Sequence, residues 1–293
     1  MPESKTKVWI LAARPKTLWA AISPVIIGTA MAYEAGQVHW LSAAAAFFGA
    51  VLIQIGTNFA NDYFDHKKGT DREDRLGPTR VTQAGMVTPS QMKAATITVF
   101  SLALLTGVYL VWRGGIPIVV IGLLSILFGV LYTAGKYPLG YIGLGDIFVL
   151  IFFGPVAVGG TYYVQTLTIN WPVIIAGLAP GLFSVAILTV NNLRDLDSDT
   201  TSGKKTLAVR FGRRFTQLEY LLTIVIACLL PAVVYLAVGV KIYSIMTLLV
   251  LLAAIPSFKT VFSAQGRILN DVLASTGKLL LLYSAIFSIG WNL

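Results

Sequence analysis

Apolar runs of about 20 residues, separated by short polar breaks, recur along the whole 293-residue chain. Each is long enough to cross roughly 30 Å of hydrocarbon as a helix. None alternates residue by residue, as the roughly ten-residue strands of a membrane barrel do. The pattern predicts about nine helices, at 17–34, 41–60, 92–112, 116–134, 143–163, 171–190, 217–239, 241–262 and 273–291. The tight links near Gly114-Gly115 and Gly239 fix that count, because merging either pair of helices would reverse every later segment. Two longer hydrophilic segments stand out, at about 61–91 and 191–216. Each follows an even-numbered span and opens with acid and amide side chains.

Composition agrees with the pattern. Only 12% of the residues are charged, against roughly 25% in soluble domains, and the mean hydropathy is +0.76. The chain reads as one all-α polytopic membrane domain over 1–293, its helices arranged around a central cavity and capped by the two hydrophilic loops. With the N-terminus inside, only Arg113 and Lys241 of the 22 basic residues fall on the outer side. That bias predicts a cell-membrane protein with a cytoplasmic N-terminus and both long loops in the cytoplasm. The basic N-terminal stretch (Lys5, Lys7, Arg14, Lys16) leads into an uncleaved first span. The net charge of +9 is a topology signal. Its basic residues are spread over several loops without interleaved stacking aromatics, which argues against nucleic acid.

Cys228 is the single cysteine, and His39 and His66 are the two histidines. An intrachain disulfide, a cysteine metal site and a Ser-His-Asp arrangement are thereby set aside. The candidate chemistry lies in the acidic clusters, Asn58-Phe-Ala-Asn61-Asp62-Tyr-Phe-Asp65 and Asn191-Asn192-Leu-Arg194-Asp195-Leu-Asp197-Ser-Asp199. If the second helix continues through its polar end, Asn58, Asn61, Asp62 and Asp65 share an arc of roughly 100°. Asn191, Asp195 and Asp199 form an i, i+4, i+8 stripe, with Asp197 turned away. Oxygen donors alone suit Mg²⁺, which typically shares one or two carboxylates with substrate phosphates. Without metal, carboxylates packed this closely are expected to oppose folding. Solvated helix ends are the plain alternative, weakened by two matching clusters on one side of the membrane. Arg80, Lys136 and Lys204 are the candidate phosphate-holding cations; Lys136 follows Tyr132 by four residues, on the same helical face.

These elements resemble the UbiA superfamily of intramembrane aromatic prenyltransferases. The resemblance rests on Asn61-Asp62-Tyr-Phe-Asp65, on Asp195 to Asp199, and on Tyr132 to Lys136. Shorter elements are similar to the branch that acts on 1,4-dihydroxy-2-naphthoate in menaquinone synthesis. They are Arg14-Pro-Lys-Thr-Leu18, Lys68-Gly69-Thr-Asp71, Gly77-Pro-Thr-Arg80-Val-Thr-Gln83-Ala-Gly85, and Asn191-Asn192 with Arg194-Asp195. The resemblance implies two Mg²⁺ ions held by Asn61, Asp62, Asp65, Asp195 and Asp199, gripping the diphosphate of a polyprenyl donor. It implies catalytic roles for Asp62, Asp65, Asp195, Asp199 and Lys136. It implies substrate contacts from Asn58, Asn61, Lys68, Asp71, Arg80, Tyr132, Lys136, Asn191, Asn192, Arg194 and Lys204. The prenyl tail would lie in an apolar tunnel open to lipid, and the naphthoate would lose its carboxyl group to give demethylmenaquinone. Other acceptors, such as 4-hydroxybenzoate or homogentisate, are the alternatives within this class. An ion channel or transporter is the alternative outside it.

Overall fold

The computed structural model describes residues 4–69, 76–239 and 241–293, and every regular element among them is helical. A short helix α1 (Lys5–Ala13) ends at Arg14, whose left-handed backbone (φ 52°) turns the chain into α2 (Pro15–Glu34). Proline at the first position of α2 suits a helix start, where its missing N–H costs nothing. The axes of α1 and α2 differ by 52°. Helix α3 (Trp40–Lys68) carries the first acidic cluster without interruption and stops at Gly69, with His66, Lys67 and Lys68 in its last turn. Cations there complement the negative end of the helix dipole. Helix α4 (Pro89–Gly114) opens with a Thr88–Gln91 capping box, and α5 (Ile116–Leu131) follows after Gly115.

A sixth segment is compound: α6 (Gly145–Ile151), a π turn (Phe152–Val156) containing Pro155, and α7 (Ala157–Thr166). Then come α8 (Trp171–Arg194), the short α9 (Leu196–Thr201) and α10 (Leu207–Val238). A 3₁₀ turn leads into α11 (Leu249–Ser263), and another leads into α12 (Leu269–Asn292).

Each apolar segment read from the sequence coincides with one of these helical units. By length and composition seven of them can cross a membrane, or eight if α1 and α2 form one span. Helix α5 has 16 residues, a length of about 24 Å, and falls short of that criterion. The count of nine is therefore approximate. Two loop boundaries also shift. Helix α3 runs eight residues past position 60, and α10 starts at Leu207, so both polar segments are shorter and more helical than the sequence predicts.

Helix α8 is the hub. Its most apolar stretch is 67% buried, whereas that of α4 is 11% buried and faces outward. Phe183 of α8 packs with Tyr283 and Phe287 of α12, Tyr220 and Ile224 of α10, and Ile27 of α2 in one core. Lipid tails are as apolar as these side chains, so close packing drives helix association. At the α8 crossing with the π turn, a Cβ on Gly177 would lie 2.8 Å from the Pro155 Cα. A smaller cluster at the polar end joins Val8 and Ala12 of α1 to Phe59 of α3, Val81, Val87 and Met92. It seats the 80–87 turn on the end of α3.

Candidate active site

Helices α2 to α8 surround a cavity of about 720 Å³. Its deep wall is apolar, with Val25, Leu110, Ile118 and Val164. Its mouth holds Asn61, Asp65, Arg80, Tyr132, Tyr141, Asn191, Asn192, Asp195, Asp199 and Lys204. The arrangement suits a ligand with one polyanionic end and a long apolar body.

The first cluster sits on α3. Asn58 faces α2, its Nδ2 donating to the Ala13 carbonyl (2.9 Å) and the Thr17 hydroxyl (3.1 Å). Asn61 Oδ1 accepts from Thr133 Oγ1 at 2.9 Å. Asp65 is held from two directions: Arg80 donates to Oδ2 (2.5 Å) and the Tyr141 hydroxyl donates to Oδ1 (2.6 Å). Asp62, one turn earlier, is 1% exposed and is not among the residues that line the cavity. Its Oδ2 and Oδ1 accept the backbone N–H groups of Val81 and Thr82, both at 3.2 Å.

The second cluster straddles a helix break. Helix α8 stops at Arg194, and Asp195 joins it to α9. The Asp199 N–H still donates to the Asp195 carbonyl (2.8 Å), so the i, i+4 register survives and Asn191, Asp195 and Asp199 all reach the cavity. Asp197 is exposed, as the stripe requires. Arg194 is buried behind the cavity and binds both oxygens of Asp195 through Nε (2.7 Å) and Nη2 (2.5 Å). It also reaches Asn191 and Asn270. Lys204 donates to Asp199 Oδ1 at 2.8 Å.

Every one of these four carboxylates therefore has a protein partner of its own. This corrects the expectation that the acidic clusters oppose folding in the absence of metal: three have a cation and Asp62 has two backbone amides. Among the described residues no three acidic, histidine or cysteine side chains converge as a preformed metal centre. The donor set still fits Mg²⁺. Asp65, Asp195, Asp199 and Asn61 offer hard oxygens around one mouth, and this ion needs only one or two carboxylates when phosphate and water complete its shell.

Two predicted cations lie elsewhere. Helix α5 ends at Leu131, so Lys136 does not share a helical face with Tyr132; it follows a turn, exposed, with its ammonium over the Tyr137 ring. Lys68 donates to the carbonyls of Thr133 (2.6 Å) and Gly135 (3.0 Å), which ties α3 to the 132–144 turn. Asp71 lies outside the described residues. Tyr132 lies just beyond α5; burial first, then the carboxylates of Asp146, Asp65 and Asp199, push its phenol well above the ordinary range. It stays protonated and can donate.

Sequence reasoning missed Tyr141 and Asn270. The ammonium groups of Lys68 (5.0 Å) and Lys204 (4.8 Å) both approach the Tyr141 ring, while its hydroxyl holds Asp65. It joins the two clusters from a third segment. Asn270 takes Arg194 on its oxygen and donates to the Leu76 carbonyl (2.9 Å), which links both loops to α12. Neither residue belongs to a spacing pattern, and each finds its partners 60 or more residues away.

Residues 21–271 match the UbiA prenyltransferase family. The chain is 37% identical to a 1,4-dihydroxy-2-naphthoate octaprenyltransferase of Haemophilus influenzae, with 99% of this chain and 97% of that protein aligned. It is 44% identical to the Escherichia coli protein of the same name over 71% of this chain and 70% of that one. Among solved structures, a UbiA homolog from Archaeoglobus fulgidus bound to GPP and Mg²⁺ superposes with a TM-score of 0.68 at 14% identity, covering 98% of this chain and 100% of that one. That last likeness is one of fold. Taken with the membrane bundle and its acidic mouth, these matches place the chain in the UbiA prenyltransferase family.

Proposed function

We propose that the chain, acting as one membrane domain, transfers a polyprenyl group from a polyprenyl diphosphate to 1,4-dihydroxy-2-naphthoate. The acceptor loses its carboxyl group as carbon dioxide, and the products are demethylmenaquinone and diphosphate. The single observation that carries the reading is a mouth of paired carboxylates and cations above a deep apolar cavity. The acceptor is taken from the relatives, whose names specify it.

Two Mg²⁺ ions, when bound with the donor, supply positive charge against the departing diphosphate. Asp65, Asp195 and Asp199, which line the mouth, would hold them together with Asn61. Asp62 belongs to the same motif but turns to the Val81 and Thr82 amides. Arg80 and Lys204 reach the mouth and turn toward phosphate oxygens, stabilising negative charge as the allylic C–O bond breaks. Lys68 reaches Thr133 and Tyr141 on the cavity wall, Lys136 on the exposed turn is free to approach the diphosphate once the donor binds, and Arg194 keeps Asp195 and Asn191 in place. Asn58, Asn192 and Tyr132 line the wall where diphosphate gives way to acceptor. The apolar lower cavity takes the prenyl chain and keeps water from the allylic cation. An electron-rich ring carbon of the acceptor attacks that cation.

The mouth faces the cytoplasm and the N-terminus lies on the same side, supported by the one-sided distribution of Lys and Arg. The test is incubation of the purified protein with Mg²⁺, a polyprenyl diphosphate and each candidate acceptor, followed by product mass spectrometry. Prenylated, decarboxylated naphthoquinol is the expected product. Transfer to 4-hydroxybenzoate alone would remove the acceptor assignment, and no transfer to any acceptor would remove the enzyme.

A further inference from the structure

Asp62 is the one buried carboxylate of the two motifs whose side chain does not line the cavity, although it sits among residues that do. Both of its oxygens are engaged by the backbone amides of Val81 and Thr82. The preceding residue is Arg80, whose guanidinium reaches Asp65. Helix α3 thus presents two carboxylates about one turn apart to one short segment: Asp62 takes its backbone and Asp65 takes its side chain. The segment then closes on itself, Ala84 N–H to the Arg80 carbonyl (2.9 Å) and Met86 N–H to the Val81 carbonyl (3.0 Å). Val81 is fully buried against Phe59 and Met92. Orphan amides at the start of such a turn need an acceptor, and a carboxylate is a strong one.

We propose that Asp62 is a positioning residue and not a metal ligand. Its carboxylate pins the 80–87 turn to α3 and so sets the Arg80 guanidinium beside Asp65 at the mouth, within reach of the donor's diphosphate. To ligate a metal, Asp62 would have to abandon two amide partners in a site 1% open to solvent, while Asp65 already faces the cavity. The inference rests on the prenyl-diphosphate reading for its last step; the tether itself does not.

The test uses the full chain in nanodiscs, with Asp62→Asn, Asp62→Ser, Asp65→Asn, Arg80→Ala and the Asp62→Asn/Arg80→Ala double variant. Hydrogen exchange is read first, without metal or donor. Asp62→Asn is expected to speed exchange at Val81 and Thr82 by about tenfold, and Asp65→Asn to leave those amides nearly unchanged. Binding of Mn²⁺ with an unreactive farnesyl thiolodiphosphate is read next. Asp62→Asn should keep Mn²⁺ affinity within about threefold of the parent, and Asp65→Asn should lose it. Donor affinity should fall about tenfold in Asp62→Asn and by a similar factor in Arg80→Ala, and the double variant should be no worse than Arg80→Ala, since both act through one group. Loss of Mn²⁺ in Asp62→Asn equal to that in Asp65→Asn overturns the proposal, as do additive losses in the double variant. Should the Asn variant not fold, Asp62→Ser supplies a neutral hydroxyl acceptor and is read on the same criteria. A parent protein that binds neither Mn²⁺ nor the diphosphate sinks the functional reading instead, and the exchange data still judge the tether.

Discussion

The two acidic clusters reach the same mouth by different means. The second is local: Arg194 holds its neighbour Asp195, Lys204 reaches back five residues to Asp199, and a helix break at Asp195 keeps the register. The first stands on an unbroken helix and draws its partners from afar. Arg80 lies 15 residues on from Asp65, and Tyr141 lies 76 residues on. A local cluster forms whenever its own segment folds. The distant one also needs the 80–87 and 132–144 turns docked against α3.

The largest effects test what the clusters share. Asp65→Asn and Asp195→Asn should each reduce prenyl transfer by at least ~10³-fold with insertion intact, because each removes charge that the metal–diphosphate assembly needs. Exhaustive chelation should do the same and be reversed by Mg²⁺; full turnover in a chelator would end the metal reading. The next pair separates the clusters. Arg80→Ala leaves Asp65 deeply buried with a lost ion partner, and breaking such a pair costs about 3–5 kcal/mol. It should lower thermal stability and donor affinity together. Lys204 is more exposed, so Lys204→Ala should cost about 1 kcal/mol of stability while still weakening donor binding. Equal melting shifts for the two would erase the contrast between local and distant partners.

Tyr141→Phe keeps the ring that Lys68 and Lys204 approach but removes the bond to Asp65. It should slow transfer by about tenfold and shift the Mg²⁺ concentration needed for half-maximal rate, as expected for one hydrogen bond to a charged group. The smallest effect belongs to Asp197→Asn, within about twofold in rate, since surface changes away from a site are nearly neutral. A loss matching that of Asp195→Asn would contradict the stripe on which the second cluster was read.

Much of this was legible in the sequence because apolar length and helical spacing are local properties. The bundle and the outward turn of Asp197 follow from them, whereas the second helix reads as ending at position 60, where its apolar run stops, and its continuation through Asp65 enters only as a condition. Periodicity places a side chain on a face but does not name what stands opposite. The four-residue step from Tyr132 to Lys136 looked helical, yet α5 stops at Leu131 and the chain turns there. Tyr141 and Asn270 carry no spacing signal, since a lone ring or amide gains meaning only when folding brings remote partners to it. Asp62 is the subtler case. Its position in the motif is indistinguishable from that of a ligand until the amides of Val81 and Thr82 are seen on it.

One consequence follows from the counter-ions that Asp65, Asp195 and Asp199 already possess. On the proposed function, loading the mouth would be an exchange of partners, in which Arg80 and Lys204 turn from carboxylate toward phosphate oxygens and dications would take their place beside the acids. A bare dication would strand the two cations, and a bare diphosphate would crowd against the acids. Neutrality is best preserved when both arrive as one complex, so the magnesium salt of the donor is the natural visitor to this doorway.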